Sequence, residues 1–188
     1  MTAALSDRPP VGGWTTDDLD ALPDDGVRRE LIDGALHVSP SPSIPHQIIA
    51  ARLLVALEQR CPEHYLVSQA NDVRLGARRQ FVPDVLVTTF AAAQAGNTLA
   101  ATDVVLAVEI VSPSSQSMDR VLKPALYAKA GIPFYWMIET DGGITVHTYR
   151  LDVTDEVYQP SGTFTDAIKL DEPWRIEIPI AGLRPRNL

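Results

Sequence analysis

Two short apolar segments of this 188-residue chain each hold a single carboxylate, and that pairing limits what the chain can fold into. Asp84 follows Pro83 within FVPDVLVTTF, and Glu109 sits within VVLAVEIVS. Continuous apolar runs of this kind read as strands covered on both faces. An ionised carboxylate buried in such a strand is unfavourable unless something compensates it. Two such acids on neighbouring strands also repel each other. From the residues alone, two compensations are open. A divalent cation uses both acids as hard oxygen ligands, and there it can activate water and stabilise a phosphoryl transition state. Alternatively each acid pairs with an arginine, and Arg74, Arg78 and Arg79 lie just upstream of Asp84.

The elements around these strands follow from pattern. Residues 1–27 are rich in Pro, Gly and Asp; Trp14 and Leu19 can dock, and Thr15 or Thr16 caps a short helical turn. ELIDGALHVSP predicts a hairpin turning at Asp33-Gly34. SPSPSIP (39–45) is a loop. From His46 to Arg60 the recurrence of Ile49, Leu53 and Leu57 predicts a helix, which Pro62 stops. HYLVSQANDVRL alternates as a strand, and AAAQAGNTLAA is a loop or short helix. MDRVLKPALYAKAG predicts a second helix ended by Gly131. Tyr127, Tyr135 and Trp136 read as packing that helix on the sheet. FYWMIET and ITVHTYR form a hairpin across Asp141-Gly142-Gly143, and residues 152–188 hold two or three edge-like strands. The fold class is α/β: one central mixed sheet flanked by two main helices, with additional N- and C-terminal strands.

Length suits one domain. Residues 1–27 form an N-terminal extension, 28–150 the core, and 151–188 C-terminal strands packed on the same domain. Cys61 is the only cysteine, which excludes an intrachain disulfide and leans towards a reducing compartment. Cys61 and His64 are too few for a zinc site. No apolar run approaches the roughly 20 residues of a membrane helix, and the N-terminus lacks a secretory pattern. A cytoplasmic location is expected. The net charge of −8 argues against broad, nonspecific nucleic-acid binding. It leaves room for a local site, because acidic metal ligands themselves add negative charge.

Four segments occur in a telling order: RRELIDGALHVSPSPSIPHQ, VPDVLV, LAVEIVSPSS and MDRVLKPALYAKAGIPFYWMIE. Together with Pro83-Asp84 and Glu109, they make the chain resemble the PD-(D/E)XK nuclease superfamily, and within it the Uma-type restriction endonucleases. The resemblance spans roughly residues 28 to 150. It implies a restriction-endonuclease-like core with the acids at one end of the sheet. It implies Asp84 and Glu109 as metal ligands, with Glu30 as a third acid near the site and a further ligand. It also implies hydrolysis of DNA phosphodiester bonds with magnesium, manganese being a possible substitute. A lysine assists in that chemistry by positioning water and stabilising developing charge. The usual lysine position after Glu109 is Val111 here, and the branch's relocated lysine matches Lys123. Pro124 follows it directly, so the helix either starts there or bends.

His46 and Ser114 are candidate substrate contacts. His46 stands where the first helix begins and Ser114 lies in a hydroxyl-rich loop before the second, so backbone capping is open for both. A homodimer suits cleavage of two strands. The alternative function is a catalytically inactive nuclease-fold module kept for binding or assembly.

Overall fold

The computed structural model describes residues 9–23, 25–96, 98–112 and 116–186. Helix α1 (Thr16–Asp20) is closed at its start by a capping box between Thr15 and Asp18. Backbone bonds from Trp14 to Gly34 and from Thr16 to Ala77, 2.8 and 2.9 Å, tie this segment to two later turns of the chain. Strands β1 (Arg29–Ile32) and β2 (Ala35–Val38) pair antiparallel across Asp33-Gly34, whose φ values of 50° and 84° suit a two-residue hairpin turn. Helix α2 (Ile44–Glu58) begins two residues earlier than its apolar periodicity suggests. Ser43 caps it and Pro45 occupies the first turn, where its missing N–H does no harm.

Two segments expected as single strands are each split. HYLVSQANDVRL becomes β3 (Tyr65–Ser68) and β4 (Asp72–Gly76), parted at Ala70, whose φ is 56°. FVPDVLVTTF becomes β5 (Arg79–Phe81) and β6 (Val85–Thr89). Between them Val82-Pro83-Asp84 crosses from one sheet to another. Pro83 has no N–H to give to a ladder, so pairing stops before it. It resumes when the Asp84 N–H donates to the Val108 carbonyl at 3.1 Å. Then come α3 (Phe90–Ala95), β7 (Thr98–Ala100) and β8 (Val104–Ile110). A π-turn, Met118–Leu122, leads into α4 (Lys123–Lys129). Strands β9 (Phe134–Glu139), β10 (Thr145–Asp152), β11 (Val157–Phe164), β12 (Ala167–Leu170) and β13 (Ile176–Pro179) complete the order.

The strands therefore divide among a five-stranded sheet, β2-β1-β5-β4-β7, a six-stranded sheet, β11-β10-β9-β8-β6-β3, and the hairpin β12-β13. Both main sheets are mixed, with β4–β7 and β8–β9 parallel. The six-stranded sheet is covered on both faces, as the apolar runs predict. Alternate residues Val85, Val87, Leu106, Val108 and Ile110 pack on Ile49, Leu53 and Leu57 of α2, joined by Ile168, Ile176 and Ile178 of the C-terminal hairpin. The opposite parity, Leu86, Ala107 and Val111, packs with Leu126 and Tyr127 of α4 and with Val73, Phe81 and Leu99 of the five-stranded sheet. Among the described residues no helix is long and apolar enough to cross a membrane.

Leu53 is fully buried and central to the α2 interface, while Val55 on the same helix is 53% exposed. Leu53→Ala should lower unfolding free energy by about 2–5 kcal/mol, and Val55→Ala by no more than about 0.5 kcal/mol, as read by denaturant titration.

Candidate active site

Strand parity decides where Glu109 points. In β8 it falls on the same face as Ala107, towards α4 and the five-stranded sheet. There its Oε1 accepts a hydrogen bond from the Tyr127 hydroxyl at 2.7 Å and one from Lys123 Nζ at 3.1 Å. Asp84 arrives beside it from the crossing before β6. Its Oδ2 accepts from the Ile110 N–H at 2.8 Å and lies 3.0 Å from His46 Nε2. Its Oδ1 lies 3.4 Å from Arg28 Nη1. Glu30 comes from β1 of the other sheet. Its Oε1 accepts from the Val82 N–H at 3.1 Å and lies 3.0 Å from Lys123 Nζ. Arg28 also donates to the Val82 carbonyl.

Lys123 is 4% exposed and sits among three carboxylates, the third being Asp119, whose Oδ1 is 3.5 Å from Nζ. Its ammonium also stands 5.6 Å from the centre of the Phe81 ring. Pro124 does not keep the lysine away. The Lys123 N–H donates to the Met118 carbonyl, five residues back, so the turn before the proline is wide rather than broken. In a regular helix a step of four residues overshoots one turn by about 40°. Asp119 and Lys123, four residues apart across this wide turn, stand 3.5 Å from each other, and Lys123 and Tyr127 both reach Glu109.

These groups line one cavity of about 410 Å3. Asp84, Glu109, Glu30, Asp119 and Lys123 line it, and the Ser-Pro loop 39–43 walls its mouth. Burial would lift the Asp84 carboxyl. The hydrogen bond and charge of His46, the Ile110 amide and Arg28 outweigh that and hold it below the usual carboxylate range. Glu109 goes the other way. Burial pushes it from 4.5 up to about 8; Lys123 opposes the shift, and Asp84, Asp119 and Glu30 add to it. Burial alone would lower the Lys123 ammonium, but Glu109, Glu30, Asp119 and Asp84 raise it instead.

Four acidic side chains, Asp84, Glu109, Glu30 and Asp119, meet two cations here, Arg28 and Lys123. That donor set fits one divalent cation, because Asp84 and Glu109 offer hard oxygens to the same cavity. Among the described residues no three Asp, Glu, His or Cys side chains converge as a ready-made metal cage. An ion here would therefore need backbone or water oxygens beside the two acids.

The upstream arginines weighed as partners go elsewhere. Arg74 pairs with Asp20, Arg79 with Asp33, and Arg78 donates to the Asp33 carbonyl. Arg28 takes their place at Asp84. Asp84, Glu109, Glu30, Lys123 and His46 are thus brought together, whereas Ser114 lies outside the described residues. The His46 ring meets Asp84, and its backbone N–H donates to the Ser43 hydroxyl, so Ser43 rather than His46 caps the helix. Sequence reasoning missed Arg28, Asp119 and the Tyr127 hydroxyl as members of the cluster. The signal for two of them was present: Asp119, Lys123 and Tyr127 recur at i, i+4 and i+8.

Because Glu109 is raised in the folded state, the fold holds a proton there that the unfolded chain gives up near 4.5. This stabilising contribution is complete below that pH and is lost as pH rises through about 8. In the presence of a chelator, the melting temperature of the parent should fall over this window. Glu109→Gln should flatten that part of the profile, and an unchanged profile in the variant would contradict the assignment.

Comparisons with known proteins bear on the family and the fold. The family model of Uma2, described as "Putative restriction endonuclease", matches residues 16–181. A solved structure from Anabaena variabilis ATCC 29413, described as "a putative nuclease belonging to DUF820", is similar to this chain with a TM-score of 0.72 at 21% identity. The match covers 90% of this chain and 96% of that one, which establishes a shared, restriction-endonuclease-like fold. No curated protein matches. With its family match running from the first helix through the last strand, this chain belongs to the Uma2 family.

Proposed function

We propose that the chain is a divalent-metal-dependent DNA endonuclease, with Mg2+ as the ion and Mn2+ as its substitute. One observation carries this reading. The Lys123 ammonium is buried 3.0 Å from Glu30 and 3.1 Å from Glu109, in the cavity that Asp84 also lines. Family membership supports a nucleic-acid substrate. Asp84 and Glu109 would hold the ion, which when bound polarises the scissile phosphate and lowers the pKa of water. Lys123 orients the attacking water and donates to the charge that builds on the phosphate oxygens. Arg28 and His46 hold Asp84, and the Tyr127 hydroxyl holds Glu109. Glu30, expected as a further ligand, here fixes Lys123 and accepts from the Val82 amide. The reading includes a cytoplasmic homodimer, whose twofold axis serves the two strands of a duplex; sedimentation equilibrium tests the dimer.

Supercoiled and linear DNA incubated with Mg2+ or Mn2+ should be cleaved by the parent. Asp84→Ala and Glu109→Ala should abolish cleavage. Lys123→Ala should reduce it on the order of a hundredfold to a thousandfold. Circular dichroism checks that each variant is folded. A folded parent that cleaves no DNA form and shows no calorimetric metal binding would sink the reading. That outcome would favour the inactive binding or assembly module.

A further inference from the structure

We propose that Asp119 is a positioning residue for Lys123, keeping the ammonium in place when Glu109 turns to a divalent cation. Its consequence for catalysis rests on the nuclease reading above; its geometry does not. Three carboxylates lie on Nζ, with Glu30 at 3.0 Å, Glu109 at 3.1 Å and Asp119 at 3.5 Å. In the proposed function Glu109 has two duties, since it neighbours the ammonium and also holds the ion. An oxygen turned to a cation gives up part of its hold on Lys123. The lysine stem is long and flexible, so it then depends on its other two neighbours.

Those two reach Lys123 from different elements. Glu30 Oε1 is shared with the Val82 N–H at 3.1 Å and lies 3.7 Å from Arg28, and it belongs to a strand of the other sheet. Asp119 rides one turn before Lys123 on the same stretch of helix, so the two move together. Its peptide carbonyl accepts the Tyr135 hydroxyl at 2.7 Å, which fastens that turn to β9. On an exposed helix such a pair contributes little. Asp119 is only 2% exposed, and burial of a third acid beside two others is tolerated when it serves a fixed cationic partner. The wide turn adds to this. Asp119 belongs to it and Lys123 borders it, and π-turns of this kind are concentrated at functional sites.

The test uses 15N-lysine-labelled protein saturated with Mg2+. The chain has three lysines, and Lys129 and Lys169 are exposed, so a slowly exchanging ammonium signal belongs to Lys123. The parent should show it, Asp119→Ala should lose it, and Asp119→Asn, whose amide oxygen still accepts, should keep it. Asp119→Leu fills a similar volume without an acceptor and reads the same way if the alanine variant does not fold. In cleavage assays Asp119→Ala should lower kcat on the order of a hundredfold, with KM for DNA and calorimetric Mn2+ affinity unchanged, and Asp119→Asn should recover most of the rate. The proposal is overturned if the parent lacks the signal or if it persists unaltered in Asp119→Ala. It is also overturned if Asp119→Ala abolishes Mn2+ binding, which would make Asp119 a ligand. If the folded parent cleaves no DNA, the nuclease reading fails alone and the ammonium signal still decides this proposal.

Discussion

A buried ammonium among carboxylates holds the centre of this molecule together. Lys123 reaches Glu30 on one sheet, Glu109 on the other and Asp119 on its own helix, all within 3.5 Å. Without it three buried acids would face one another across the seam between the sheets. Removing one partner from such a buried group typically costs about 3–5 kcal/mol, because the charges left behind have no solvent to turn to. The interaction is therefore structural and chemical at once. It sets how α4 and the two sheets meet, and it leaves a lysine facing the cavity where two acids offer their oxygens.

The seam itself is a consequence of Val82-Pro83-Asp84. A proline cannot donate to a sheet ladder, so the chain leaves the five-stranded sheet at Phe81 and enters the six-stranded one at Val85. Asp84 lies at this crossing, where its backbone is paired to β8 and its side chain is free to turn to His46 and Arg28. Placing an acid at a crossing gives it neighbours from several elements. Glu109, next to last in β8, meets what packs on its face, α4 and the five-stranded sheet.

The role of Val111 becomes clear from the same parity. It shares a face with Glu109, but it is buried in the apolar cluster with Leu126 and Tyr127. A lysine there would bury its charge against α4. The ammonium is supplied from α4 instead, and the π-turn before Pro124 makes the reach possible. In sequence Pro124 looked like an obstacle, because a regular helix cannot pass it without loss. A wide turn can, and it is recognisable only from backbone bonding that spans five residues.

The sequence by itself determined the strand that carries Glu109, the apolar strand that follows Asp84, the hairpin at Asp33-Gly34, the helix bearing Leu53 and Leu57, and the ordered segments of the family. Each of these is written in local pattern: apolar runs, turn dipeptides and helical periodicity. Only the tertiary structure decided that the strands form two sheets, and that Arg28 rather than Arg74, Arg78 or Arg79 meets Asp84. It also decided that Asp119 and the Tyr127 hydroxyl join the cluster. These depend on which faces meet across long sequence separations, 56 residues in the case of Arg28 and Asp84. A single sequence records which residues are apolar or charged, but the pairing of buried charges follows from packing, since a buried acid takes whichever cation the surrounding elements bring within reach.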